Sequence, residues 1–582
     1  MSTFTIGESD FLLDGAPHRI LSGALHYFRV RPEQWADRIR KARLLGLNTI
    51  ETYVAWNAHE PVRGQWDATG AGDLGRFLDL VADEGLHAIV RPGPYICAEW
   101  HNGGLPVWLT TLPGARLRSS EPTYLAEVER YLQRVYEIVV PRQIDRGGNV
   151  VLVQIENEYG AYGSDRAYLE ALVRITRDAG VTVPLTTVDQ PVPEMLRNGS
   201  LPGLHLTGSF GSRAEERLAT LRAHQRTGPL MCSEFWDGWF DWWGGSHHTT
   251  DAAESAAELD ALLQAGASVN LYMLHGGTNF GVTNGANDKG RYAPIVTSYD
   301  YDAPLDEAGN PTPKYHAFRE VIARHTPVPD EPLPVRVPAP AFEVALEATG
   351  DWLALVPAGT GLAAQPPTFE ELGHLGPLVR YDAALDPSAF GDAEEALLVF
   401  GEVRDLAWVM VDGRRVGRLS RALAENALPV PRGGALTVLV EDQGRVNYDT
   451  RLGEHKGLIG PVTLGGAAVT DWRARPLDLD EVRAVAASVR VPGSGRAVLL
   501  GDFALDTPSD LFLDTASFGK GFAFVNGFLL GRYWRNGPQR TLYVPAPLTR
   551  AGTNEVALVE LERATEAVAR FVPEALLGHI EE

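Results

Sequence analysis

The segment VLVQIENEYG, residues 151–160, begins with apolar residues and ends abruptly in polar ones. Its first part predicts a strand buried on both faces, because the apolar run includes Val151, Leu152, Val153 and Ile155. The strand then meets two carboxylates and an amide, on Glu156, Glu158 and Asn157. Burying such groups without partners is unfavourable. This placement indicates chemistry, or specific pairing, at the carboxyl end of the strand.

Runs of the same kind recur along the first 325 residues, and amphipathic stretches that predict helices separate them. Eight strands that alternate with helices over such a length favour a (β/α)8 TIM barrel of the α/β class. A doubly wound open sheet is the alternative, but no GxGxxG or P-loop follows any of the strands. The predicted strands are Leu21–His26, Thr49–Val54, His87–Arg91, Val150–Ile155, Val183–Val188, Leu204–Ser209, Leu230–Ser233 and Val269–Met273.

The composition and the hydrophobic pattern of the sequence change after residue 325. Residues 326–341 carry prolines at a density that excludes helix and central strand, so they predict an extended linker. Beyond them, short alternating runs are broken by Gly, Pro and Asp-Gly turns, as in β-sandwiches. The predicted domains are the barrel at 1–325, the linker at 326–341, and two sandwiches at 342–478 and 479–582.

A faint internal repeat supports two related sandwiches. Val411-Asp412-Gly413 is matched by Val525-Asn526-Gly527, and Gly-Arg follows each tripeptide at the same spacing. Asp-Gly and Asn-Gly between apolar runs predict β-hairpins.

Composition excludes several classes of function. The chain has 52 Lys and Arg against 75 Asp and Glu, and its formal charge of −23 repels phosphate backbones, so no nucleic-acid partner is expected. Two cysteines, Cys97 and Cys232, are too few for a disulfide framework. No signal peptide is recognisable and no apolar run reaches the length of a membrane span, which predicts a cytoplasmic protein without a membrane partner.

Polar and aromatic residues follow most of the predicted barrel strands. The carboxyl ends of barrel strands meet at one face, so these side chains are expected to share a pocket. Aromatic rings stack on sugar faces, carboxylates and amides bind hydroxyls, and a pair of carboxylates can cleave a glycosidic bond. The residues concerned are Tyr53, Trp56, Asn57, His59, Glu60, Tyr95, Glu99, Trp100, Glu156, Asn157, Glu158, Glu234, Tyr272, Tyr299 and Tyr301.

Several of these residues also have a purely structural interpretation. Glu156 could be a carboxylate that neighbouring donors satisfy, and His59-Glu60 could form a hydrogen-bonded corner. Cys97 and Cys232 fit small buried positions, and the Trp-rich run 236–243 fits either core or a loop at the pocket. His247, His248 and His275 lack any metal-binding spacing, so neither a metal nor a cofactor is predicted.

Six ordered segments resemble glycoside hydrolase family 35, the β-galactosidases that include the lysosomal acid enzyme. They are TYVAWNAHEP, RPGPYICAEW, QIENEYG, SEFWDGW, NLYMLHGGTNFG and TSYDYDAPLDEAG. The resemblance continues beyond the linker in EDQGRVNYDTRLGEHKGLIG and VNGFLLGRYWRNGPQRTLYVP, which are similar to the family's two C-terminal β-domains, jelly-roll sandwiches of the galactose-binding type.

The resemblance implies a retaining exo-β-galactosidase that acts on small galactosides or galactosyl oligosaccharides. It makes Glu158 the general acid/base and Glu234 the nucleophile. The galactose contacts that it implies are Tyr53, the backbone of Ala98, Glu99, Asn157, Tyr272 and Tyr301. Two departures from the family pattern are Asn149, where Pro is usual, and Cys232, where Asn is frequent.

Two other functions stay open at this level. Another exo-β-glycosidase, such as a β-glucosidase, would use the same barrel and the same carboxylates. A carbohydrate-binding protein without activity would keep the fold, but the presence of both Glu158 and Glu234 argues against it. The sequence leaves the preferred linkage, the aglycone and the oligomeric state open, and a homodimer is among the assemblies it allows.

Overall fold

A computed structural model describes residues 2–333, 335, 337–487 and 495–580. The chain divides into two compact units. The first contains the residues up to Asn279, then Ser298–Ala339, and the residues from Leu577 onward. The second contains Phe280–Thr297 and Pro340–Leu576. Each unit is described by itself below.

The first unit is an eight-stranded parallel barrel, and a short antiparallel ribbon precedes the barrel in the chain. The ribbon is β1 (Phe4–Ile6), β2 (Phe11–Leu13) and β3 (Ala16–His18). The barrel closes by pairing its last strand with its first. Its strands are β4 (Leu21–Leu25), β5 (Thr49–Tyr53), β6 (His87–Arg91), β7 (Val150–Gln154), β8 (Leu185–Asp189), β9 (His205–Ser209), β10 (Met231–Trp236) and β11 (Ser268–His275). The predicted (β/α)8 barrel is confirmed, and because its sheet closes, the alternative of a doubly wound open sheet is wrong.

Helices connect the barrel strands and cover them. Carboxylates cap several helices: Asp73, Asp165 and Asp251 each accept backbone N–H groups in the first turn of the helix that follows. The helices of this unit are α1 (Trp35–Leu45), α2 (Trp56–His59), α3 (Leu74–Asp83), α4 (Pro122–Val139), α5 (Tyr159–Tyr162), α6 (Arg166–Asp178), α7 (Pro193–Asn198), α8 (Ala214–His224), α9 (Ala252–Gln264) and α10 (Pro313–His325). No helix in the described ranges is long and apolar enough to cross a membrane.

The second unit consists of two β-sandwiches and a small added sheet. The sheet pairs β12 (Gly285–Asp288) with β13 (Tyr292–Pro294) and with β22 (Arg445–Val446). Strands β14 (Phe342–Ala345) and β15 (Glu347–Ala348) and helix α11 (Trp352–Leu355) precede the first sandwich. That sandwich contains β16 (Leu378–Ala384), β17 (Glu395–Arg404), β18 (Leu406–Val411), β19 (Arg414–Ser420), β20 (Ala427–Pro431), β21 (Ala435–Glu441), β23 (Gly457–Leu464), β24 (Ala467–Ala468) and β25 (Arg473–Leu477).

The second sandwich takes strands from both sides of the first. Helix α12 (Leu479–Ala487) leads to β26 (Ala497–Leu505), β27 (Leu511–Asp514), β28 (Lys520–Val525), β29 (Phe528–Trp534), β30 (Thr541–Val544), β31 (Gly552–Glu560) and β32 (Val568–Val572). Strand β14 pairs with β32, and β15 pairs with β26. Residues 342–348, which the predicted boundaries group with the first sandwich, therefore extend the sheets of the second. Alternation alone cannot show which distant partner a short strand will join.

The two repeated tripeptides form equivalent hairpins. Asp412-Gly413 connects β18 to β19, and Asn526-Gly527 connects β28 to β29. All four residues have positive φ, between 48° and 81°, as a two-residue type I′ turn requires. Each hairpin also shifts register at the same point, between Val409 and Met410 in one and between Ala523 and Phe524 in the other. The two hairpins therefore share both the turn and the position of the bulge.

Candidate active site

The strand that contains Val151 ends by turning its polar residues into the carboxyl face of the barrel. Glu156 and Glu158 both adopt left-handed backbone conformations, with φ of 57° and 45°. The turn stays attached to the next strand, because the Glu158 N–H donates to the Val188 carbonyl at 3.1 Å. The Gly160 N–H donates to Asp189 Oδ1 at 2.8 Å. These bonds fix the backbone on both sides of the Glu158 side chain.

Glu156 is a fully satisfied structural carboxylate. Arg118 donates to both of its oxygens, at 3.0 and 2.8 Å. The Tyr168 hydroxyl donates to Oε1 at 2.9 Å, and the Asn157 N–H donates to Oε2 at 2.6 Å. With these partners committed, Glu156 holds the turn in place, and the structural interpretation of this residue is the one observed.

Glu234 lies in β10, where the strand bulges. The pairing of β10 with both neighbouring strands shifts register between Cys232 and the residues just after it. A bulge re-aims side chains and is common beside active sites. Glu234 is 5% exposed. Its Oε1 accepts from the Tyr53 hydroxyl at 2.8 Å and its Oε2 accepts from Trp236 Nε1 at 3.1 Å.

Arg91 and Tyr53 tie the two strand ends together. Arg91 Nη2 lies 2.5 Å from Glu234 Oε1 and also donates to Asn157 Oδ1. Tyr53 OH lies 2.9 Å from the same Asn157 oxygen. The Arg91 guanidinium stacks 4.1 Å over the Tyr53 ring. Asn157, which precedes Glu158 in the chain, is therefore linked to Glu234 through the side chains of Arg91 and Tyr53.

The Glu158 carboxyl group accepts fewer hydrogen bonds than those of Glu156 and Glu234. The Ser209 hydroxyl donates to its Oε1 at 2.8 Å. Burial, reinforced by the nearby charge of Glu234, raises the pKa of Glu158 to about 7, while the Ser209 hydrogen bond and Arg91 oppose the rise. A carboxyl group in this state can hold a proton near neutral pH and release it to an adjacent oxygen.

The remaining predicted sugar contacts include an aromatic wall formed by Tyr272, Tyr299 and Tyr301. The Tyr299 hydroxyl donates to Glu99 Oε2 at 2.5 Å and lies 3.4 Å from the Tyr272 hydroxyl. The rings of Tyr272 and Tyr301 meet edge to face, with centroids 5.5 Å apart. Burial raises the pKa of Tyr53, Tyr272 and Tyr301 well above the ordinary value. Their hydroxyls therefore stay protonated and can donate hydrogen bonds.

Ala98 lies in an unusual loop beside this wall. Cys97, Ala98 and Glu99 are consecutive residues with positive φ, between 48° and 57°. The Ala98 carbonyl accepts from Arg29 Nη2, and the Arg29 guanidinium stacks 3.8 Å over the Tyr299 ring. Successive left-handed residues are costly, so the surrounding contacts must hold this loop in place.

The other polar residues singled out in the sequence have structural partners. His59 contacts the Tyr27 hydroxyl at 2.5 Å and the Asp67 carbonyl at 2.7 Å, and the Trp56 indole donates to Glu60 at 2.8 Å. The Nδ1 of His247 lies 2.7 Å from Asp241 Oδ2, and the Nδ1 of His248 lies 2.9 Å from Asp241 Oδ1. Burial lowers the pKa of His275 to about 3, so its ring is neutral. Cys97 and Cys232 are buried thiols.

Among the residues that touch the proposed catalytic carboxylates or Asn157, sequence reasoning did not nominate Arg91 or Ser209, and it placed Trp236 only in a run that fits either core or a loop at the pocket. Arg91, Ser209 and Trp236 are the last residues of β6, β9 and β10. The rule that selected the glutamates, a polar or aromatic residue at the end of a barrel strand, applies equally to them.

Comparison with known proteins agrees with this architecture. Residues 10–325 match the profile of glycosyl hydrolases family 35. Residues 366–478 match a profile described as beta-galactosidase, first all-beta domain, and residues 498–554 one described as beta-galactosidase, galactose-binding domain.

Relatives of similar length match almost end to end. A beta-galactosidase of Xanthomonas manihotis is 40% identical, over 95% of this chain and 93% of its own length. A beta-galactosidase-1-like protein of Mus musculus is 40% identical, over 95% and 88%. A beta-galactosidase of Felis catus is 41% identical, over 97% and 89%.

Proposed function

We propose that this chain, which belongs to glycosyl hydrolases family 35, releases terminal β-galactosyl residues by double displacement. The glycoside hydrolase class and the β-galactosidase activity follow from family membership. The two-step mechanism and the residue roles are proposed from the site. Glu234 is the nucleophile, and Glu158 is the general acid/base.

The observation that carries the mechanism is the contrast between the two carboxylates. Glu234 accepts from a guanidinium, a phenol and an indole, which together hold both of its oxygens in place. Glu158 accepts from one hydroxyl, and its pKa is raised to about 7. One group is therefore prepared to attack as an anion and the other to donate a proton.

In the first step, a Glu234 oxygen attacks the anomeric carbon while the bond from that carbon to the glycosidic oxygen breaks. The proton of Glu158 moves to the departing oxygen, which leaves as an alcohol. The product is a galactosyl ester of Glu234, and the negative charge of Glu234 is lost.

In the second step, loss of that charge changes the role of Glu158. The charge of Glu234 is one of the causes that raise the pKa of Glu158, so esterification lowers the pKa. Ionised Glu158 then takes a proton from water, and the water oxygen attacks the anomeric carbon. Glu234 departs as a carboxylate, and two inversions give net retention.

The remaining predicted contacts suit recognition of one terminal sugar. Asn157, which is adjacent to Glu158 and bonded to the Glu234 network, is proposed to face the 2-hydroxyl. Tyr53, the Ala98 backbone, Glu99, Tyr272 and Tyr301 are proposed to bind the other hydroxyls and the ring. These residues are each less than 9% exposed. Such deep burial favours a chain end over an internal sugar.

Stereochemistry tests this proposal directly. NMR of the reaction at early times should show β-galactose as the first product, with α-galactose appearing only by mutarotation. The catalytic carboxyl groups should lie about 5–5.5 Å apart in a substrate complex, as retaining enzymes require. Initial release of the α-anomer would contradict the mechanism. Matched aryl galactosides and glucosides separate this activity from a β-glucosidase.

Three broader properties stay proposals. A cytoplasmic location can be tested by cell fractionation, and a homodimer by light scattering of the purified protein. The domain limits 1–325, 326–341, 342–478 and 479–582 can be tested by limited proteolysis, with cleavage expected first in the Pro-rich segment.

A further inference from the structure

The barrel interior holds another buried carboxyl group, that of Glu51. Glu51 belongs to β5 and is 1% exposed. Its Oε1 lies 3.6 Å from Arg91 Nε, so the two form an ion pair without a hydrogen bond. Its Oε2 accepts from Asn270 Nδ2 at 3.1 Å. The proposed mechanism assigns no role to this group.

Both partners of Glu51 lead to the nucleophile. Arg91 uses Nη2 to hold Glu234 Oε1, while its Nε faces Glu51. Asn270 Nδ2 also donates to the carbonyl of Ser233, at 2.9 Å, one residue before Glu234. Glu51 is thus connected to the side chain of the nucleophile on one path and to its backbone on the other.

We propose that Glu51 is a positioning residue that shares the Arg91 charge with Glu234 and so balances the two steps of the reaction. The inference rests on the proposed role of Glu234 as nucleophile. Arg91 is 1% exposed, and its positive charge lies between two buried carboxylates. In such surroundings a charge a few ångströms away has a strong effect on reactivity.

The consequences for the two steps are opposite. With Glu51 ionised, Arg91 is partly neutralised, and Glu234 is less stabilised as an anion and therefore more nucleophilic. Without the Glu51 charge, Arg91 acts on Glu234 alone. Attack by Glu234 then becomes slower, and its departure from the galactosyl ester becomes faster because the leaving carboxylate is better stabilised.

The effect depends on pH. Arg91 from β6 and Glu234 from β10 act on Glu51, the titratable Tyr53 lies on its own strand, and the amide of Asn270 faces it from β11. Burial raises the pKa of Glu51 to about 7, Arg91 opposes the rise and Glu234 adds to it. Glu51 is therefore neutral well below pH 7 and ionised well above it. Its influence on the nucleophile should be present only in the higher range.

The test uses the variant Glu51→Gln and 2,4-dinitrophenyl 2-deoxy-2-fluoro-β-galactoside. This fluorosugar needs no proton to leave and slows both steps, so the rate of trapping and the rate of reactivation can be measured separately. Above pH 7, we expect trapping to slow by about tenfold and reactivation to accelerate. Well below pH 7, the variant and the unmodified enzyme should trap at nearly equal rates.

Two further variants complete the test. Glu307 is also buried, accepts from Thr278 and Ser298, and has its pKa raised to about 8 by burial. At about pH 7.5, between the two pKa values, Glu51 is mainly ionised and Glu307 mainly protonated, so Glu307→Gln should leave both rates unchanged there. Glu51→Asp keeps the charge and should trap faster than Glu51→Gln; it also replaces that variant if Gln prevents folding.

The outcomes separate this inference from the proposed function. Equal slowing of trapping and reactivation in Glu51→Gln, or no slowing of trapping above pH 7, would overturn the role of Glu51. Failure of the unmodified enzyme to form any galactosyl ester on Glu234 would instead overturn the proposed function. Peptide mapping of the trapped enzyme distinguishes the two cases.

Discussion

Replacing Glu158 by alanine should affect substrates according to how well their aglycone leaves. A group with the pKa of about 7 found for Glu158 is about nine-tenths protonated at pH 6, whereas a glutamate at the ordinary 4.5 would be about 3% protonated. The raised pKa thus increases the fraction of competent acid about thirtyfold at that pH. General acid catalysis itself is worth about 10²–10⁴ in rate.

For galactosyl disaccharides, whose leaving oxygen is strongly basic, Glu158→Ala should therefore lose about 10²–10⁴-fold in kcat/KM. With a 2,4-dinitrophenyl galactoside, formation of the galactosyl ester should survive because that phenolate leaves without a proton. The second step should stall, since no base remains to activate water. Azide needs no base, so it should restore turnover and yield β-galactosyl azide.

The matched control is Glu156→Gln, two residues away on the same turn. Glu156 is satisfied by Arg118, Tyr168 and the Asn157 N–H, so this variant should lose stability without dependence on the leaving group. Azide should not rescue it. In Glu234→Ala, azide enters from the opposite face and should give the α-azide. If Glu158→Ala produced the α-azide and Glu234→Ala the β-azide, the two roles would be reversed.

Three other predictions concern pH, stability and metals. Ser209→Ala removes a hydrogen bond that stabilises ionised Glu158, so the pKa of Glu158 should rise. The alkaline limb of the pH profile of kcat/KM for a disaccharide should then shift to a pH about half a unit higher. An unchanged limb, or one at lower pH, would contradict this. Arg118→Met leaves buried Glu156 without its ion pair and should lower the free energy of unfolding by about 3–5 kcal/mol in denaturant titrations, unlike the exposed control Arg134→Met. Exhaustive chelation should leave activity unchanged, because two carboxylates suffice for the chemistry; a loss that one divalent ion restores would reveal a missed site.

The barrel could be predicted from the sequence because its strands are buried on both faces. Every predicted strand overlaps an observed one, and His87–Arg91 has identical bounds. The hairpins at Asp412-Gly413 and Asn526-Gly527 could also be predicted, since these dipeptides specify positive φ at both turn positions. Such features depend on local chemistry that a short window of sequence contains.

Long-range pairing could not be predicted in this way. Strand β14 joins a partner more than two hundred residues later, at Val568–Val572, and nothing in its four residues selects that strand over another edge. Arg118, which neutralises Glu156, lies 38 residues earlier in a loop. Residues at the strand ends were therefore visible as candidates, whereas a partner in a distant loop, such as Arg118, was not.

The contrast between Glu156 and Glu158 shows what partners add to a motif. Both carboxylates follow the same strand, so the sequence pattern treats them alike. In the structure both are also buried, and both have positive φ. Glu156 accepts four hydrogen bonds, two of them from a guanidinium. Burial raises the pKa of Glu158 and the charge of Glu234 adds to the rise, while its one hydrogen bond, from Ser209, opposes it. Burial beside a negative charge, with a single opposing donor, thus makes Glu158 the acid, and the four donors around Glu156 distinguish it from this equally buried neighbour.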